Sequence, residues 1–182
     1  MFEYINIFLK SMFIDNMVFA YFLGMCSYLA VSKKVSTAIG LGIAVTFVQV
    51  ITVPLNYLIY KYVLEAGALS WIDPSLAEID LSFLNLIVYI AVVATLVQLV
   101  EMIIEKFSPS LYNSLGIFLP LIAVNCAILG GSLFMQLRVD TGTYQNIGHV
   151  ITFGLSSGLG WLIAIVALAA IREKMEYSNV LA

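Results

Sequence analysis

An all-α, polytopic helical membrane protein is the fold class that three features of the sequence predict. The chain of 182 residues is 62% hydrophobic and only 10% charged, whereas a soluble domain carries about a quarter charged residues. Its 8 Lys and Arg and 11 Asp and Glu fall in short clusters between long apolar runs, and mean hydropathy is +1.04, the pattern of membrane-spanning helices separated by loops. The runs, such as Leu86–Leu99, do not alternate apolar with polar residues, which argues against barrel strands.

Five spans are predicted, within a single integral-membrane domain over residues 1–182. The first runs roughly from Phe8 to Val31 and is broken at Asp15 and Asn16, because two adjacent polar residues are costly in lipid. The second runs from Thr37 to Val63, with Pro54 as its expected kink. Phe83 to Ile104 makes the third. The fourth covers Tyr112 to Leu137 with an interruption at Pro120, and the fifth Ile147 to Ile171. Each is long enough to cross roughly 30 Å of hydrocarbon. Phe22-Leu23-Gly24-Met25-Cys26 and Phe118-Leu119-Pro120 followed by Cys126 share a Phe-Leu, a helix breaker and a cysteine. This faint repeat divides the chain into halves of about 1–106 and 107–182, on the inverted-repeat plan in which broken half-helices meet near the midplane.

Lys33 and Lys34, Lys106, and Arg172 with Lys174 follow alternate spans, so those loops should be cytoplasmic. The stretch Glu65–Asp80 holds Glu65, Asp73, Glu78 and Asp80 and no base, and should face outward with the N-terminus. Met1-Phe2-Glu3-Tyr4 lacks the basic region of a cleavable signal. A net charge of −3 argues against nucleic acid. Two cysteines most of a chain apart make no zinc-finger pattern.

Cys26 and Cys126 are the leading candidates for chemistry. Each lies beside a helix breaker, where unwound backbone N–H groups can stabilise a thiolate; the bland alternative is a pair of small packed side chains. Iron–sulfur clusters need four ligands, so two thiols make a half-site to be completed by a partner protein. Gln98, Glu101 and Glu105 share one helix face. Glu101 is either a carboxylate on an ion path or a residue at headgroup level. Asp15, Asn16 and Asn125 either bind a cation or cap half-helices. Gly154-Leu155-Ser156-Ser157-Gly158 has the nucleophile-elbow spacing, but no strand–turn–helix context and no histidine after the serine; it reads as a small-residue packing face. His149 is expected in a loop or at the interface. Trp71 and Trp161 fit interfacial anchoring or packing.

Two stretches carry a resemblance. Phe22-Leu23-Gly24-Met25-Cys26-Ser27-Tyr28-Leu29-Ala30-Val31-Ser32-Lys33-Lys34 and Leu115-Gly116-Ile117-Phe118-Leu119-Pro120-Leu121-Ile122-Ala123-Val124-Asn125-Cys126-Ala127-Ile128-Leu129-Gly130-Gly131 resemble the two cysteine segments of the E-subunit family of sodium-translocating NADH:quinone reductases. Asp80-Leu81-Ser82-Phe83-Leu84 and Ile171-Arg172-Glu173-Lys174-Met175-Glu176-Tyr177-Ser178 add matches. The A-type component of the Rnf ferredoxin:NAD oxidoreductase complex shares the cysteine segments, but lacks the tryptophan of Gly158-Leu159-Gly160-Trp161.

The resemblance implies a translocase of bacterial inner membranes, a six-subunit complex passing electrons from NADH to ubiquinone while exporting sodium. It implies a 2Fe-2S cluster between this chain and the homologous, inverted D component of the complex, with Cys26 and Cys126 as this chain's ligands. It matches Glu101 to a carboxylate of sodium uptake, and leaves NADH, FAD, FMN and riboflavin to other subunits. Members of the family have a sixth span; in this sequence, which stops at Ala182, the second half-repeat is expected to be incomplete or trimmed. Without the resemblance, the residues read first as half of an inverted-repeat secondary transporter, or as a scaffold without cofactor.

Overall fold

The computed structural model describes residues 2–65, 82–107, 109, 112–113 and 119–177. All regular structure among them is helical: α1 (Phe2–Leu9), α2 (Met25–Val31), α3 (Val35–Ile59), α4 (Asn85–Phe107), α5 (Leu119–Ala123), α6 (Cys126–Asp140) and α7 (Ile147–Tyr177). Two wide π-helical turns, Lys10–Ile14 and Tyr60–Leu64, extend α1 and α3. Asp73, Glu78 and Asp80 of the acidic loop, Trp71, Phe118 and residues 178–182 lie outside the described residues.

Among the described residues three helices are long and apolar enough to cross a membrane: Val35–Leu64, Asn85–Phe107 and Ile147–Glu176. The first and fourth predicted spans are broken instead into half-helices. The first break falls where expected. Asn16 organises it, donating through Nδ2 to Met12 O (3.0 Å) and Gly160 O (2.9 Å) while its Oδ1 accepts from Val18 N at 2.9 Å. Its amide thus satisfies carbonyls and N–H groups that the interrupted helix leaves without partners. Within the fourth predicted span a break lies at Val124–Asn125, between α5, which contains Pro120, and α6. Asn125 is the N-cap of α6 and accepts from Ala127 N at 3.0 Å, so the capping alternative describes it. α3 runs on through Pro54, and α7 continues past Ile171 to Tyr177.

α7 is the axis of the bundle. One side meets α3 through glycines: a Cβ on Gly158 would sit 2.9 Å from Thr46 Cα, and one on Gly154 3.3 Å from Gln49 O. The packing-face reading of this stretch holds, and it lies inside a continuous helix, where no nucleophile elbow forms. Another side meets α1, with Gly160 against Met12 O and Gly148 against Tyr4. The long side chains Trp161, Phe153, Met17 and Leu41 fill the space between. Gly158→Leu should therefore prevent α3 and α7 from closing, since the obstructing atom belongs to backbone that cannot yield. The expected result is loss of the folded chain from detergent extracts by size-exclusion chromatography; recovery of wild-type amounts would refute the close approach.

Charged residues pin the ends of α7. Arg172 Nη1 donates to Leu29 O (2.9 Å) and Ser32 Oγ (2.8 Å), closing the end of α2. Glu173 Oε2 accepts from Val35 N at 3.0 Å, capping the start of α3. At the opposite end His149 is a helical residue, 5% exposed, with Nε2 3.7 Å from Glu3 Oε2 and its ring 4.8 Å from that of Tyr4. It therefore lies in the first turn of a helix rather than in a loop. α4 buries one stripe, Asn85, Tyr89, Val93 and Val97, at the four-residue spacing of one helix face. Much of its remaining surface is apolar and open, with Leu86, Ile87, Ile90, Leu99 and Met102 exposed.

Candidate functional site

The two broken segments converge beside the middle of α7. Gly24, the N-cap of α2, has φ +80°, a left-handed conformation that costs glycine nothing. A Cβ there would lie 2.8 Å from Asn125 Oδ1, 2.8 Å from Trp161 Nε1 and 3.0 Å from Ala127 Cβ. The residue before α2 thus touches the residue that caps α6, and the glycine's bare backbone makes the contact possible. From there the half-helices diverge. α2 ends near Arg172 at one end of α7, whereas α6 ends near Tyr144 and Phe153 toward the other.

Cys26 is the second residue of α2 and Cys126 the first of α6. Both are free thiols exposed on the surface of the chain. Cys126 opens a helix of 15 residues. It also lines an apolar hollow of about 410 Å³ with Leu23, Leu133 and Phe134. Val124 and Phe22, 68% and 70% exposed, extend this apolar surface. Phe22 takes φ +57°, an uncommon conformation for a bulky side chain, at the turn that leads into Gly24.

Behind the thiols lie two buried donors with no hydrogen-bond acceptor among the described residues, Asn125 Nδ2 and Trp161 Nε1. Both residues are at most 1% exposed. Orphan N–H groups at membrane depth are expensive. A ligand that brings negative charge beside them matches their polarity. Trp161 is a core residue at the level of the break rather than an interfacial anchor. Its approach to Gly24 has no local signature, since a tryptophan in an apolar run fits packing or anchoring equally well.

The remaining candidates lie elsewhere. Asp15 follows the first half-helix and pairs with Arg138, Oδ2 to Nη2 at 2.5 Å. Arg138 also donates to Tyr144 OH at 2.6 Å and rests over the Phe153 ring, 4.8 Å from its centroid. Burial raises the pKa of the Tyr144 phenol, while the Arg138 charge pulls it down. Glu101 is half-buried on α4, six residues before the helix ends at Phe107, about 9 Å along its axis. No hydrogen bond or ion pair engages its carboxylate among the described residues. Gln98 and Glu105 are exposed on the same face. No group of three or more His, Cys, Asp or Glu side chains converges among the described residues.

The sequence matches the family described as "Rnf-Nqr subunit, membrane protein" over residues 4–182. The E subunit of the Na(+)-translocating NADH-quinone reductase of Stutzerimonas stutzeri is 57% identical over 178 residues, 98% of this chain and 85% of that protein. A protein of the same name from Psychrobacter cryohalolentis is 56% identical over the same shares. Another from Methylococcus capsulatus is 56% identical over 177 residues, 97% of this chain and 84% of its own length.

Proposed function

The chain belongs to the Rnf-Nqr family of membrane subunits, and from that premise we propose that it is the electron-relay E subunit of a sodium-translocating NADH:quinone reductase. Cys26 and Cys126 are proposed as two of the four ligands of a 2Fe-2S cluster shared with the homologous D component of the complex. The observation that carries this reading is the meeting of two half-helix starts at Gly24 and Asn125, each start bearing an exposed thiol. The residues fit the group: soft thiolates are the usual iron–sulfur ligands, and the donors of Asn125 and Trp161 beside them favour negative charge. Two ligands are too few for the cluster, and the apolar surface around Cys126 supplies a dry face for the protein bearing the others.

When bound, the cluster supplies one-electron transfer. The chain's own part is to hold the ligands at the level where the half-helices begin, roughly the middle of a helix of 31 residues, so that electrons pass between cofactors at opposite faces. Gly24 and Asn125 keep the two starts in contact, and Phe22, Val124 and Leu133 exclude water. NADH, FAD, FMN, riboflavin and ubiquinone are assigned to other subunits of the complex. Added negative charge in a low-dielectric site is costly unless offset, so a sodium ion moving nearby lowers the cost of reduction. Glu101, unpaired among the described residues, is proposed to receive sodium at the cytoplasmic end of α4. Asp15, held by Arg138, closes the path at the other end. The setting is the bacterial inner membrane, with a periplasmic N-terminus and two half-repeats of about 1–106 and 107–182.

Co-purification of this chain with its homologous partner, followed by iron analysis and low-temperature EPR, tests the proposal. About two irons per pair and a reduced 2Fe-2S signal are expected. An iron-free, intact pair would refute it and favour a secondary transporter, which needs no metal.

A further inference from the structure

α3 is apolar by composition, yet Gln49, Thr52 and Asn56 are spaced three and four residues apart and share one of its faces. All three are fully buried in the bundle. Gln49 Nε2 donates to Ser157 Oγ on α7 at 3.0 Å, and Asn56 Nδ2 donates to Ser132 Oγ on α6 at 2.7 Å. The Ser132 hydroxyl gives its own proton to Ile128 O, so it can only accept from Asn56. That fixes the amide with its oxygen turned away from the serine. Among the described residues, Gln49 Oε1, Thr52 Oγ1 and Asn56 Oδ1 have no hydrogen-bond partner. The buried Asn85 Oδ1 and Tyr89 OH of α4, a helix that also packs against α3, are likewise unpartnered. The same face of α3 continues to Tyr60, whose hydroxyl donates at 2.5 Å to Asp140, an exposed residue at the end of α6.

Among the described residues, every unpartnered atom of this seam is an oxygen. Neutral hard oxygens suit an alkali cation, whereas a divalent ion asks for carboxylates. A proton relay needs titratable groups, and Gln49, Thr52 and Asn56 are none. The seam also lies near the thiols. Ser157 precedes Trp161 by one helical turn, about 6 Å, and Trp161 abuts Gly24. Negative charge arriving at Cys26 and Cys126 acts on the seam through low dielectric.

We propose that Gln49, Thr52 and Asn56 form a transit site for a dehydrated monovalent cation, connected through Tyr60 to the end of the bundle that carries Asp140. The inference rests on the sodium-translocating reading above and names residues for it. The cation gains oxygens that packing leaves unused, and its affinity rises when the thiol site is reduced. Release toward Asp140 follows when the electron moves on.

The test uses the intact complex in liposomes. Thr52→Val keeps side-chain volume and removes one oxygen. The half-saturating sodium concentration for quinone reduction should rise about tenfold, the equivalent of one lost ligand interaction. Cluster EPR and the KM for NADH should not change, and Thr52→Ser should restore sodium affinity. Gln49→Met should shift the sodium dependence further, and Thr52→Val alone decides the matter if Gln49→Met does not assemble. An unchanged half-saturating concentration in assembled Thr52→Val would overturn the site, the seam then holding water only. A wild-type complex that reduces quinone but takes up no radioactive sodium would instead refute the translocation reading itself.

Discussion

Replacing Cys26 or Cys126 by alanine should yield an assembled complex without the 2Fe-2S signal and with quinone reduction reduced to about a hundredth or less. The magnitude follows from metal sites in general. Loss of an outer partner that merely orients a ligand costs about 10- to 100-fold, and loss of the ligand itself costs at least as much. Neither thiol carries a packing load, since both are exposed on the surface of the chain. Alanine therefore removes no core contact, and assembly should survive. NADH oxidation by an artificial acceptor, assigned to other subunits, should persist. Cys26→Ser and Cys126→Ser should fail nearly as fully, because a hydroxyl is a poor substitute for a soft thiolate. Unchanged cluster absorbance and quinone reduction in either alanine variant would remove the thiols from the mechanism.

Much of the fold was legible because membrane helices announce themselves by length and hydropathy. The three continuous spans lie close to where the apolar runs place them. The first break was legible too, since Asp15 and Asn16 interrupt an apolar run. At the second break the sequence left Asn125 as either a cap or a cation ligand, and only its hydrogen bond with Ala127 N shows the cap.

The two cysteines are singled out by their setting of breakers and by family resemblance, but the contact between their helix starts was not legible. Gly24, Asn125 and Trp161 meet across three separate segments, and no periodicity within one segment reports that contact. Gln49, Thr52 and Asn56 were hidden differently. They stand in an apolar run whose composition reads as lipid-facing or packed, and their unsatisfied oxygens appear only once α6 and α7 are placed against them.

The same geometry makes Gly24→Ala the most disruptive single methyl near the site. Two costs combine. A left-handed backbone costs a residue with a Cβ about 1–2 kcal/mol, and overpacking a tight contact costs a further 1–3 kcal/mol, roughly. The methyl cannot be accommodated by a free side chain. Asn125 Oδ1, 2.8 Å away, is engaged in capping α6, and Trp161 is wholly buried. Displacing Asn125 uncaps the helix that Cys126 begins, so a substitution two residues before Cys26 should disturb the other thiol as well. The expected result is a complex of lower thermal stability that holds less than half its iron, with an altered EPR line shape in what remains. Gly24→Asn separates the causes, because asparagine tolerates the left-handed backbone yet still carries a Cβ. Iron loss equal to that of Gly24→Ala would assign the effect to the contact with Asn125 and Trp161. Recovery would assign it to the backbone. Full iron and an unaltered spectrum in Gly24→Ala would show that the convergence of the half-helix starts does not set the geometry of the ligands.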